Sequence, residues 1–316
     1  VAVLAVIIPF WRGRVASHVG ARSPENAPPF FQPEVVPINR TEQVFDAFHG
    51  EVHPLLHGKT SLTLTAHLSK ISQGGRDEIE KLVDPALYRL FSELSVATPA
   101  KIYTEQDFSP LVMPETVQKV GQVWELDHDT VSQFLSQLHP RPSLHVESRG
   151  RRAGPDGAFG VLRADSATHA DVVFRIHAEF VLAKNVWLTP ACFWGRMIID
   201  KQAGTVEYFK LWVPTENYLN IHLTVRESVN GLVDNKRDIV HIDQMDLVSA
   251  ERKLPDSLNW THEIDMASAE HQLKKVFYTF ENIRWVPWEQ AQAVAAAQHK
   301  PILAIVLWGA LDDQSC

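Results

Sequence analysis

An α+β architecture is predicted by three observations: helical apolar spacing confined to the first third of the chain, apolar–polar alternation through the middle, and a closing strand–helix–strand pattern. The chain has 316 residues, enough for about two domains. Hydrophobic residues make up 45% and charged residues 22%, which excludes wholesale disorder, a collagen-like chain and a multi-span membrane protein. The net charge of −8 argues against duplex nucleic acid as the partner, because phosphate binding draws on excess positive charge. Two cysteines, Cys192 and Cys316, rule out a disulfide framework.

Taken in order, residues 1–11 form an apolar run, VAVLAVIIPFW, closed by Arg12. A spanning helix needs about 20 apolar residues and the run supplies eleven, so the segment is expected to be the end of a single membrane anchor. The alternative is a buried strand, since Val1, Val3, Val6 and Ile8 favour extended backbone. Residues 12–75 are read as linker and weakly structured chain, with a Pro-rich stretch at 24–37. His49, His53 and His57 have the i, i+4, i+8 spacing of a zinc-binding helical face, but Gly50 and Pro54 interrupt that helix; no metal site is expected.

Segment 76–115 is read as a helix pair. Ile79, Leu82, Leu87, Leu90, Phe91 and Leu94 stand at helical spacing with a restart at Pro85, and a second helix is expected from Asp107 to Pro114. A β-rich domain is expected over 120–272. In 172–182, Phe174, Ile176, Ala178 and Phe180 alternate with Arg175, His177 and Glu179, which predicts one strand with its charged row toward water. Residues 197–200 and 205–213 read as a hairpin, and 219–225 and 238–248 as two more strands. The small basic cluster Arg149, Arg151 and Arg152 reads as a solvated loop.

The closing unit, 273–316, is predicted to be βαβ: a strand at 275–283, an Ala-rich helix at 288–300 entered through Pro287 and stopped by Pro301, and an apolar strand at 301–308. In thioredoxin-like folds a redox pair follows such a strand at a helix N-terminus, where unpaired N–H groups favour a thiolate. Cys316 stands at that place, which leaves two readings of the closing unit: the first βαβ of a thioredoxin-like domain, or a βαβ unit followed by an incidental thiol. Asp312 and Asp313 are the nearest charges and oppose thiolate formation.

The string LWGALDDQSC at 307–316 resembles the segment of selenoprotein N that immediately precedes its selenocysteine. His139-Pro140-Arg141-Pro142 and Phe174-Arg175-Ile176-His177-Ala178-Glu179-Phe180 are similar to strings of the same family, and looser similarity extends the match over about 130–316. The resemblance implies an endoplasmic-reticulum membrane glycoprotein with one anchor and a lumenal body. It acts on protein thiols, with calcium-handling membrane proteins among its partners, and its cysteine–selenocysteine pair is the redox centre. Cys316 matches the first member of that pair, and the selenocysteine would lie just beyond it; no other cofactor is implied. Trp308 and Gly309 would shape the loop, and Asp312 and Asp313 would either tune the pair or only solvate it. Alone, the 316-residue chain holds one thiol of the pair and is expected to be redox-inactive. The rival is a non-catalytic lumenal adaptor that docks through the thioredoxin-like unit.

Asn39-Arg40-Thr41 and Asn259-Trp260-Thr261 are glycosylation sequons if lumenal. Vertebrate members of the family resemble an EF-hand upstream, and 90–108 occupies that place. Calcium needs oxygen ligands at loop positions 1, 3, 5 and 12. A loop starting at Ser95 gives Ser95, Ala97, Pro99 and Gln106; one starting at Val96 gives Val96, Thr98, Ala100 and Asp107. Neither has an acidic cluster, so a degenerate EF-hand-like pair without calcium is expected.

Overall fold

A computed structural model describes residues 2–7, 56–72, 85–117, 119–149, 157–216, 219–229, 232–249, 258–278 and 286–307. The chain divides into two compact units, a larger one built on Ala47–Arg284 and a smaller one built on Val3–Asp46 with Trp285–Ile305.

The larger unit is mixed α/β with a strand-rich middle. Its main sheet has nine strands. Eight follow the order β16 (His262–Glu263), β7 (Gly157–Asp165), β8 (His169–His177), β11 (Phe193–Asp200), β12 (Thr205–Trp212), β15 (Met245–Ser249), β2 (Ser61–Leu68) and β4 (Ala100–Thr104). The ninth, β5 (Val123–Glu125), pairs with β7. A six-stranded sheet runs β3 (Ile71–Ser72), β14 (Leu232–Ile242), β13 (Ile221–Val229), β10 (Val186–Pro190), β9 (Glu179–Ala183) and β6 (Pro142–Ser143). Strands β2 and β4 therefore bring residues upstream of 120 into the same sheet as the middle of the chain.

The hairpin expected at 197–213 is present as β11–β12, with Asp200 opposite Thr205. Its turn is closed by the Asp200 carboxylate, which accepts the Gln202 and Ala203 N–H groups at 2.9 Å each. Gly204 sits at φ +64°, and the His57 ring occupies the space a Cβ would need.

One face of the main sheet holds the core. Tyr103 stacks on Phe134 (4.4 Å), Phe134 on Phe209 (5.1 Å), and Phe108 tilts against both phenylalanines. Helices α2 (Glu105–Phe108) and α3 (His128–Leu135) supply Phe108 and Phe134, and Asp127 caps α3 by accepting the Thr130 N–H at 2.8 Å. Leu68 and Met245 from the large sheet meet Phe180, Leu182 and Leu188 from the smaller one around a void, so the two sheets share apolar packing.

Four expectations are corrected. First, 172–182 is two strands: β8 ends at His177, and β9 begins at Glu179 in the other sheet. Second, its polar row does not face water. Arg175, His177 and Glu179 are 1%, 0% and 0% exposed, because helix α4 (Met266–Phe277) and Tyr278 cover the first two and the 147–149 turn covers the third. Period-2 alternation cannot register a helix that returns some 90 residues later. Third, residues 275–277 close α4 rather than open a strand: Ala269, Leu273 and Phe277 recur every fourth residue, and Asp265 caps the helix by accepting the Ser268 N–H. The rest of 275–283 beyond Tyr278 lies outside the described residues. Fourth, 238–248 is broken at Asp243–Gln244 into the end of β14 and β15, which lie in different sheets.

Upstream, Pro85–Ser92 forms helix α1, while 76–84 lies outside the described residues. The helix expected over 107–114 is instead α2 followed by a 3-10 turn at Ser109–Leu111, since Pro110 suits the first turn and the chain extends again at Val112.

In the smaller unit a three-stranded sheet runs β17 (Val286–Pro287), β1 (Ala2–Ile7) and β18 (Ile302–Leu307). Helix α5 (Trp288–Gln298) connects β17 to β18 and ends in a left-handed cap at His299, φ 51°. The predicted helix and final strand are thus present, and the strand before the helix is two residues long. Ala2–Ile7 adopts the extended backbone that was the alternative to an anchor. Among the described residues no helix is long and apolar enough to cross a membrane.

Candidate functional site

Strand β18 ends at Leu307, the first residue of LWGALDDQSC. Trp308, Gly309, Asp312, Asp313 and Cys316 lie outside the described residues, as does Asn39. Asn259 is exposed next to Trp260, whose ring lies 5.3 Å from the Arg163 guanidinium. Cys192 is 2% exposed in the larger unit. His57 is exposed, and His49 and His53 lie outside the described residues. Among the described residues no group of three or more His, Cys, Asp or Glu side chains is placed to hold a metal ion.

Across 95–107, where the degenerate calcium loop was read, residues 100–104 form β4 and 105–108 form α2. Asp107 is already engaged. Its carboxylate accepts the Thr104 N–H (2.7 Å), the Thr104 hydroxyl (2.9 Å) and the Gln133 amide (2.8 Å). Partial burial raises its pKa, but those hydrogen bonds outweigh burial and hold it below the usual carboxylate range. Calorimetric titration should therefore show no saturable calcium site at millimolar concentration; a micromolar site lost in Asp107→Ala would contradict this.

What brings polar residues together is the string Phe174–Phe180, at the crossing between the sheets. Arg175 Nε donates to His177 Nε2 at 2.9 Å, which requires that nitrogen to be unprotonated. The Arg175 guanidinium lies 4.8 Å from the Trp194 ring, 5.8 Å from Phe277 and 5.6 Å from Tyr278. His177 stacks on Phe277 at 4.1 Å with 12° between planes, and Phe159 meets Phe277 edge-on. Glu179 faces a different set. It accepts the N–H groups of Glu147 (2.7 Å) and Ser148 (3.2 Å) and the Thr189 hydroxyl (3.4 Å). Arg226 and Arg237 donate to the carbonyls of Glu147 and Ser148, at 2.7 Å each.

Burial pushes the Glu179 pKa up, the Glu147 charge adds to the rise, and the hydrogen bonds from Glu147 and Ser148 only partly offset it. A carboxyl whose folded pKa is raised contributes stability that is fully present below its unfolded pKa and lost as pH rises through the folded one. The urea midpoint should accordingly fall as pH rises from the ordinary glutamate range through the raised value, and Glu179→Gln should remove that portion of the fall. Superimposable pH profiles for the two proteins would contradict the assignment.

A second network lies along the same sheet. Asp171, 0% exposed, accepts from Arg163 Nε and from Arg196 (Nη2 at 2.7 Å, Nε at 3.1 Å). Arg163 also donates to Glu263 and to the Ile264 carbonyl, tying β7 to the entry of α4. Lys201 donates to Asp165 at 3.0 Å; burial raises the Asp165 pKa, against the lowering effect of Lys201. The sequence reading missed Asp171, Trp194, Phe277 and Tyr278; their signal is several charged residues spaced along one strand, with an aromatic pair at the end of a distant helix that covers Arg175 and His177.

Comparison with known proteins places these strings in context. The chain is 28% identical to human selenoprotein N, over 73% of this chain and 47% of that protein. It is 27% identical to the mouse selenoprotein N over 73% of the chain, and 31% identical to the zebrafish (Danio rerio) protein over 59% of the chain. The chain is thus similar in sequence to selenoprotein N of three vertebrates. It spans half or less of the length of these relatives: 47%, 50% and 38%. No family model and no solved structure matches it. The Phe174–Phe180 string is a buried junction rather than an open site.

Proposed function

We propose that the chain is part of a thiol–disulfide oxidoreductase of selenoprotein N type, a membrane-anchored glycoprotein with a lumenal body in the endoplasmic reticulum, tied to redox and calcium homeostasis. The supporting observation is that the strand–helix–strand unit Val286–Leu307 ends where LWGALDDQSC begins. A thioredoxin-like reading of that unit would deliver Cys316 beyond the end of β18, with a selenocysteine beside it. In that mechanism the selenolate attacks a substrate disulfide and expels one thiolate. The Cys316 thiolate then attacks selenium in the mixed selenenyl-sulfide, releasing the second substrate thiolate. The substrate gains two electrons, and the Cys–selenocysteine pair is left oxidised as an internal selenenyl-sulfide; the two residues could also exchange roles.

A second reading, a lumenal adaptor that docks through the same unit without chemistry, draws on Asp312 and Asp313, whose charges oppose a thiolate at Cys316. Sequencing the transcript past the Cys316 codon separates the two. The redox reading expects UGA followed by a glycine codon, with a selenocysteine-insertion element downstream. An ordinary stop with no insertion element would remove the basis for catalysis.

A further inference from the structure

The N-terminal apolar run occupies the middle of the C-terminal sheet. In the order β17–β1–β18, Ala2–Ile7 lies hydrogen-bonded between the two strands that α5 connects. It runs antiparallel to β17, with Leu4 opposite Pro287 and Ala5 opposite Val286. Its sequence, AVLAVI, and that of β18, ILAIVL, are both wholly apolar. Two consequences follow from elementary sheet chemistry. In this sheet β18 is hydrogen-bonded to β1, so one side of its row of backbone N–H and C=O groups depends on β1 for partners. β18 stands at one end of the described sheet, and without β1 its second edge would also be open to pairing with other chains.

We infer that residues 2–7 serve as an intramolecular complementing strand: they complete the small sheet from the opposite end of the chain and so hold β18 in place up to Leu307. The role is one of positioning. It goes beyond the redox reading and does not depend on it, because strand pairing can be measured whether or not Cys316 is active. The anchor of the proposed function would then lie outside residues 2–7, since the same backbone cannot form a membrane helix and this strand at once.

The test uses the full chain carrying Cys316→Ser. Ala5→Cys combined with Val286→Cys places two thiols at opposed positions of an antiparallel pair, within the span of a disulfide. Ile7→Cys with Val286→Cys is displaced by two residues, about 7 Å along the strand, and out of reach. Mild oxidation should join the first pair at least about tenfold more completely than the second, closing a loop visible on non-reducing gels and reversed by dithiothreitol. Equal yields would overturn the inference. A second measurement needs no crosslink: in Leu4→Pro, which removes a backbone donor from β1, amides of 302–307 should exchange about tenfold or more faster than in the parent, while those of β8 and β11 are unchanged. Unaltered exchange across 302–307 would equally refute it.

Discussion

Asp171→Ala should destabilise the larger unit by about 3–5 kcal/mol, read as a lowered urea midpoint. The aspartate is fully buried between Arg163 and Arg196, whose side chains are 9% and 19% exposed. Truncation removes the single carboxylate shared by two guanidinium groups and leaves both facing each other in a poorly solvated place. Arg163 keeps Glu263 and the Ile264 carbonyl, so Arg196 bears more of the loss. The pair Lys236–Glu227, whose carboxylate is 33% exposed where that of Asp171 is 0%, is the control. At 2.7 Å it is as short as the Arg196 contact, yet its side chains are 20% and 33% exposed. Its removal should cost only about 0.2–1 kcal/mol. If both substitutions cost the same, desolvation would not be what makes the Asp171 network matter.

Phe277→Ala should cost about 3–5 kcal/mol and should act first on α4. That helix buries only Ala269, Leu273 and Phe277, and the sheet beneath it presents Arg175 and His177 rather than a continuous apolar surface. Phe277 is therefore the main hydrophobic anchor: it stacks on His177, meets Phe159 edge-on at 5.3 Å and lies beside the Arg175 guanidinium. Hydrogen exchange should show the amides of 266–277 losing protection before those of β8. Val276→Ala, at a side chain 45% exposed, should change little. Uniform loss of protection across β8 and α4 would mean that the helix and sheet open as one body.

Local pattern carried the reading furthest where one strand met one turn. The β11–β12 hairpin could be read because alternation, Asp200 and Gly204 all act within a few residues. Reading failed where distant elements decide. The row Arg175, His177, Glu179 looks solvent-facing in isolation, and its burial depends on Phe277, Tyr278 and the 147–149 turn. Residues 275–277 alternate well enough to suggest a strand, but the cap at Asp265 and the fourfold spacing back to Ala269 make them helical. Residues 2–7 are apolar enough for either an anchor or a strand, and their partners lie some 280 residues away. Of the proposed redox site, α5 and β18 were legible from pattern; a single cysteine carries no periodicity, so the reading of Cys316 leans on the literal string that it closes.

The proposal that Cys316 works as half of a redox pair is tested most directly by disulfide turnover of the selenocysteine-containing protein which that proposal expects, beside its Cys316→Ser variant. The parent should reduce a protein disulfide and yield, after alkylation, one peptide in which Cys316 is joined to the adjacent selenocysteine. In the variant that peptide should be absent, and the substrate should remain trapped as a mixed selenenyl-sulfide. Undiminished turnover in Cys316→Ser, with no internal selenenyl-sulfide in the parent, would contradict the account.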